Sequence, residues 1–160
     1  MPLTNKFQDN DYTFSEVHSV ETGLYYKFIF SHLSDAKEYY PNFEGWFFNQ
    51  VVPEIKTGNR QLLIESRNDQ VAGIAIVNTG YEKKLCTLRV AEQFQNRGLG
   101  IRLFERCFEV LETNKPFLTV SEEKLPEFQR VFDYYGFEMT SVKNDIYRKG
   151  KKEFYFNESW

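Results

Sequence analysis

Leu88-Arg89-Val90-Ala91-Glu92-Gln93-Phe94-Gln95-Asn96-Arg97-Gly98-Leu99-Gly100 decides how the rest of the chain is read. Residues 85–90 read as an apolar-rich strand, and the spacing predicts a helix over 99–111. In that helix Ile101, Phe104, Phe108 and Leu111 make one apolar stripe, and Leu99, Leu103, Cys107 and Val110 a second, so little of its surface is left for solvent. A strand that runs through a glycine-bearing turn into a helix leaves backbone N–H groups unpaired and convergent at the positive end of the helix dipole. Phosphate oxygens suit such a place. Gly98 and Gly100 permit close approach and unusual backbone angles, and Arg97 adds a mobile positive charge. No Lys-Ser/Thr follows, as a nucleoside triphosphate loop requires, and no third glycine completes the dinucleotide fingerprint. Turn chemistry alone leaves two readings open: a phosphate cradle, or a helix that merely starts after a glycine turn.

Upstream, residues 62–65 and 70–77 read as paired strands joined at Arg67-Asn68-Asp69, and Asn78-Thr79-Gly80 turns the chain into the third strand. Simple alternation there puts Cys86, Leu88 and Val90 on one face and Leu85, Thr87 and Arg89 on the other. Residues 24–33 read as a helix with Leu24, Phe28 and either Ile29 or Leu33 on its apolar side. Beyond Pro41, Phe43, Trp46, Phe47, Val51 and Ile55 recur at helical spacing, with Asn42 as a cap, Gly58-Asn59 as a stop and Pro53 as the point of a kink or split. Residues 14–20 can form a short first strand, and 1–13 are a polar lead-in.

Downstream come a strand over 116–120, a helix over 126–135 that starts at a favoured proline position and stops at Gly136, and two strands over 137–142 and 153–156 that return near Lys149-Gly150-Lys151. Strands and helices alternate, with a hairpin near the middle and another at the end. The pattern predicts an α/β fold in a single domain spanning 1–160, with a mixed sheet of about six or seven strands and helices on both faces.

Composition narrows the classes. With 41% apolar and 27% charged residues over 160, the chain sits with ordinary globular proteins that bury one sizeable core. No apolar run reaches the roughly 18–20 residues that cross a bilayer, and no basic patch precedes an apolar stretch at the start, so a cytoplasmic protein with no membrane partner is expected. A formal charge of -3 without a basic block gives no argument for nucleic acid. Cys86 and Cys107 lie in apolar patterns, as buried thiols of a reducing compartment do. His18 and His32 are far apart and match no ligand spacing, so no metal is expected. Most of the 16 Phe, 10 Tyr and 2 Trp must be core.

Residues 60–137 resemble the GNAT superfamily of N-acyltransferases. Gln95, Gly98 and Gly100 match its Gln/Arg-x-x-Gly-x-Gly/Ala turn, preceded by Leu88-Arg89-Val90 as the strand that splays from its neighbour. Phe132-Asp133-Tyr134-Tyr135-Gly136-Phe137 is similar to the family's segment of an aromatic, three residues and Gly-Phe. The resemblance implies acetyl-CoA as acyl donor. Leu88, Arg89 and Val90 would line the pantetheine arm, mainly through the backbone of Leu88 and Val90. The turn and helix start, Gln95, Asn96, Arg97, Gly98, Leu99, Gly100 and Ile101, would hold the pyrophosphate.

Amide formation from a thioester needs a deprotonated amine at the carbonyl, a donor for the oxyanion and a proton for the departing thiolate. The family implies direct attack in a ternary complex, and Cys86 has no basic partner in sequence that would make it a nucleophile. Phe132 stands where many relatives carry a tyrosine, and Phe has no proton to give. Ser121 and Tyr134 are therefore the candidate proton donors, with Tyr135 continuing a packing stripe, and Glu122 the candidate base beside Glu123 and Glu82. Tyr39, Tyr40, Phe43, Trp46 and Phe47 gather aromatic area for the acceptor, an amine-bearing small molecule or protein, and Glu38 and Glu44 would attract a cationic amine. Two alternatives stand beside the small-molecule enzyme: an acyl-CoA-binding sensor with little turnover, and a protein or aminoacyl-tRNA N-acetyltransferase. Monomer and homodimer are both open.

Overall fold

The computed structural model describes residues 19–159. The polar lead-in over 1–13 and the short strand expected over 14–20 lie outside them, except that Ser19 and Val20 are already helical. β1 (Arg60–Arg67), β2 (Gln70–Asn78) and β3 (Lys84–Val90) form an antiparallel sheet in that order. Asn68 and Asp69, at φ 54 and 61, make the two-residue turn between the first pair, a left-handed conformation that Asn and Asp tolerate better than most side chains. β4 (Leu118–Ser121), β5 (Met139–Asn144) and β6 (Lys152–Phe156) form a second antiparallel sheet in the order β4-β6-β5. The sheets meet at a parallel bridge between Lys84 and Phe117, where the Leu85 N–H donates to the Phe117 carbonyl at 2.9 Å.

Helices cover both faces. α4 (Leu99–Leu111) and α5 (Leu125–Tyr135) pack on one side, where Leu103, Phe104, Cys107 and Phe132 meet Leu63, Ala75, Val77 and Phe156. On the other side, α1 (Ser19–Ser31), α2 (Phe43–Trp46), the π-helical segment Phe47–Val51 and α3 (Val52–Thr57) pack on the sheet, bringing Ile29, Phe30, Phe43, Phe47 and Val51 against Leu62, Ile64, Ile74 and Ile76. β1 and β2 are thus buried on both faces, which is why they read as nearly continuous apolar runs. Truncating the wholly buried Phe47 to alanine would cost about 3–5 kcal/mol.

Three expectations are corrected. α1 buries Tyr26, Ile29 and Phe30, with Leu33 just beyond it, and turns Leu24 and Phe28 outward at 59% and 43% exposure. The buried set has the i, i+3, i+4, i+7 spacing of a single helix face, and Leu24 and Phe28 fall off it. The helix expected beyond Pro41 is divided close to Pro53, as the proline suggested. The π-helical segment over Phe47–Val51 joins α2 to α3, and Pro53 then falls in the first turn of α3, where its missing N–H is tolerated. Asn42 precedes α2 without a side-chain capping bond.

The third correction concerns β3. Its register against β2 slips between Ile76 and Val77, which face Thr87 and Leu85, so Cys86 is the extra residue of a bulge. The slip resets the alternation: Leu85, Leu88 and Val90 all pack toward α4, while Cys86 packs with the opposite core.

Candidate active site

Beyond the Lys84–Phe117 bridge, β3 and β4 part, and a cavity of about 870 Å³ opens between them. The Ala91 N–H donates to the Ala72 carbonyl at 2.8 Å and fixes the phase of the β2–β3 ladder. Arg89 and Thr87 therefore turn their peptide groups to β2, and Leu88 and Val90 turn theirs into the gap. Gln95 donates its Nε2 to the Val90 carbonyl at 3.1 Å, so the motif glutamine satisfies one of these outward groups and ties the turn to the strand.

The turn itself is anchored by Phe94, which is buried with Ala72 and Leu99. Asn96 and Gly98 both adopt positive φ, at 62 and 77, and Gly98 is the N-cap of α4. No side chain caps this helix and no acidic residue occupies its first turn, so its leading N–H groups point outward with the positive end of the dipole unopposed. A Cβ on Gly98 would meet nothing within 4 Å, and one on Gly100 only the Val90 Cγ2 at 3.9 Å. Among the described residues, Arg97 is exposed and makes no ion pair.

Across the gap, toward α2, the cavity is walled by Tyr39, Tyr40, Trp46 and Tyr147, with Lys84 and Thr119 at the end where the strands begin to part. Behind them lies Glu153 of β6, 3% exposed. Its Oε2 accepts hydrogen bonds from the Tyr40 hydroxyl and the Thr119 hydroxyl, each at 2.8 Å. Burial pushes the Glu153 carboxyl above its ordinary range, against the two hydrogen bonds and the charges of Lys84 and Arg148. Burial, then the charge of Glu153, holds the Tyr40 hydroxyl far above the usual tyrosine value. Tyr147, edge-on to Tyr40 at 5.0 Å, is pushed up to about 12, chiefly by burial.

The sequence-predicted residues divide cleanly. Leu88, Arg89, Val90, Gln95, Asn96 and Gly100 line the cavity. Leu99 is core, and Arg97, Gly98 and Ile101 lie outside the lining. Arg89 points its guanidinium at Asp35. Ser121, Glu122 and Tyr134 are not brought to the cavity. Ser121 is 1% exposed and its Oγ accepts from the Lys124 N–H. Glu122 accepts from the Lys152 N–H at 2.7 Å, and Tyr134 projects into solvent at 77% exposure. Glu123 is clamped by Arg148 through bonds of 2.7 and 2.6 Å, and exposed Glu82 accepts from Asn78. Phe132 does line the cavity, at 2% exposure. The Cys86 thiol accepts from Arg60 at 3.1 Å, and burial nonetheless pushes it up. Phe47 is core, and Glu38 and Glu44 lie outside the lining. Sequence reading missed Thr119, Tyr147 and Glu153. The one local hint was Glu153 itself, an acidic residue at an inward position of a short aromatic strand.

Split sheet, open strand edge and glycine turn define an α/β protein with a ligand-sized cleft between two half-sheets. Residues 36–153 match the family model described as acetyltransferase (GNAT) domain, and the chain belongs to that family. Solved structures share the fold. A GNAT-family acetyltransferase from Bacillus cereus is 21% identical with TM-score 0.54, covering 68% of this chain and 75% of its own. One from Elizabethkingia anophelis with acetyl-CoA bound is 14% identical with TM-score 0.53, covering 67% and 80%. The ribosomal-protein-S18-alanine N-acetyltransferase from Escherichia coli is 16% identical with TM-score 0.50, covering 64% and 73%. No curated protein matches the chain significantly. Among the described residues no helix is long and apolar enough to cross a membrane, and no group of three or more His, Cys, Asp or Glu is placed to hold a metal ion.

Proposed function

We propose that this chain is an acetyl-CoA-dependent N-acetyltransferase that joins the acetyl group to a primary amine by direct attack in a ternary complex. The observation that carries the reading is the outward edge of β3, which meets the uncapped start of α4 at one end of the cavity. In this reading the Leu88 peptide and the Val90 N–H pair with the pantetheine arm, while Gln95 occupies the Val90 carbonyl. The N–H groups of Gly98, Leu99, Gly100 and Ile101 face the pyrophosphate, and Asn96 and Arg97 add a polar and a charged contact. Bound there, the cosubstrate supplies an activated thioester carbonyl near the bridge. The aromatic wall of Tyr39, Tyr40, Trp46 and Tyr147 receives the acceptor, an amine-bearing small molecule or protein. Ser121, Glu122 and Tyr134 carry no step in it.

Calorimetric titration with acetyl-CoA and free CoA tests the cofactor site, and thiol release on adding primary amines tests the reaction. Micromolar binding with amine-dependent release is the expected result. Phe132, with no proton at the family's tyrosine position, favours a second reading, a chain that binds acyl-CoA with little turnover. Binding without amine-dependent thiol release would select it; a folded, monodisperse sample that binds neither ligand would sink both readings.

A further inference from the structure

We propose that Tyr40 is a catalytic residue that takes the proton of the acceptor amine, and that Glu153 behind it is the positioning group that holds that proton; this rests on the acetyltransferase reading above. Tyr40, Thr119 and Lys84 line the cavity at the end where β3 and β4 begin to part, the place that reading gives to the thioester. Glu153 stands one layer back, on β6 opposite Ser121.

A buried carboxylate is costly unless it is ion-paired or put to use. Among the described residues no Lys or Arg nitrogen forms an ion pair with Glu153, although Arg148 and Lys84 are near enough to be felt. Its partners are two hydroxyls, both donating to the same oxygen and both belonging to residues that line the cavity. A hydroxyl whose proton is committed to a carboxylate has only acceptor capacity left. Tyr40 therefore meets the cavity as an acceptor, suited to an N–H. It is unsuited to protonating sulfur, because that would leave a phenolate beside the carboxylate.

The step balances. The amine nitrogen bonds to the carbonyl carbon, and its surplus proton passes to the Tyr40 oxygen as the Tyr40 proton passes to Glu153. The carbon–sulfur bond breaks, the sulfur leaves as thiolate and takes a proton from solvent, and Glu153 returns its proton to solvent. The charged and titratable groups facing Glu153 are Tyr40 from the segment before α2, Lys84 from β3, Tyr147 and Arg148 from the β5–β6 loop, and Tyr155 on its own strand. A merely structural tie between that segment and β6 would use the same bonds, so the test must read proton transfer.

The experiment measures kcat/KM against pH for wild type, Glu153→Gln, Glu153→Asp and Tyr40→Phe, with acetyl-CoA and three acceptor probes: 2-phenylethylamine, putrescine and a lysine-containing peptide. Expected are losses of at least about 100-fold in Glu153→Gln and Tyr40→Phe, partial recovery in Glu153→Asp, and unchanged calorimetric affinity for acetyl-CoA. Titration of the acceptor amine lowers kcat/KM on the acid side in every variant, and the additional fall of the wild type as Glu153 takes up a proton should vanish in Glu153→Gln. If Glu153→Gln fails to fold, the loss and the missing additional fall are read in Tyr40→Phe. Wild-type rates, or lower rates with that additional acidic fall intact, overturn the proposal alone. A wild-type chain that binds acetyl-CoA but acetylates none of the probes also overturns it while leaving the cofactor site standing; one that does not bind acetyl-CoA removes the parent reading as well.

Discussion

Gly98 and Gly100 sit two residues apart and face different constraints. Gly98 holds φ 77, so Gly98→Ala should destabilise the free chain by about 1 kcal/mol and weaken acetyl-CoA binding about tenfold or more, since the strain falls on the turn. Gly100 is helical and open, so Gly100→Ala should stabilise by about 0.5–1 kcal/mol with affinity nearly unchanged. Denaturant melts and calorimetry on both variants check the contrast. Glu153 gives a second prediction. Its folded pKa lies above the unfolded 4.5, so the stability it contributes is present below that value and lost as pH rises through the folded one. At neutral pH, Glu153→Gln should melt at or above the wild-type temperature; a markedly lower Tm would contradict this. The turn at Gln95, Gly98 and Gly100 was legible in the sequence as the start of a helix, because a glycine turn is a local feature. The Tyr40–Glu153 bond was not, because its ends are 113 residues apart and only the fold brings them together.

Elements with strong punctuation were read well. α4 starts at Leu99 and α5 stops at Gly136, at φ 70, because left-handed glycines mark those ends. β3 was misread in phase because its bulge is a property of the pairing with β2, which no single strand displays. The α1 face was misread because Tyr26 and Phe30 compete with Leu24 and Phe28 as apolar residues at the same spacing. Close packing gives a prediction at this scale: a Cβ on Gly73 of β2 would come within 2.7 Å of Leu103 Cδ1 and 3.4 Å of the Arg89 carbonyl. Gly73→Ala should therefore cost about 1–3 kcal/mol in thermal unfolding, from forced separation of β2 and α4. The loop between β5 and β6 is held to the start of α5 by Arg148 on Glu123, which lowers the Glu123 pKa from 4.5 to about 2. Because that pKa is depressed, the tie contributes fully above pH 4.5 and is lost as pH falls toward 2. Arg148→Ala should abolish this part of the acid dependence, as measured by unfolding across that window.

For the molecule as a whole, alternating strands and helices were enough to expect a mixed sheet with two covered faces. The resemblance implied that β3 splays from its neighbour, but the single bridge that joins the two half-sheets is too small to register as a sequence pattern. A ligand spanning the division binds the folded state alone. Acetyl-CoA at about 100 times its Kd should add about 2.7 kcal/mol, a Tm rise of about 5–10 °C for a chain of this size, and free CoA should reproduce most of it. A scan showing no shift at saturating ligand would argue against binding across the gap. The open edge of β3 also bears on how the protein behaves at high concentration. Unpaired strand edges are templates for intermolecular sheets and for aggregation. This edge lines the cavity inside a wedge closed at one end by Lys84 and Phe117, a place a slender arm enters more readily than a second molecule's strand. The hydrogen-bonding groups kept free for a ligand are thereby withheld from other copies of the chain.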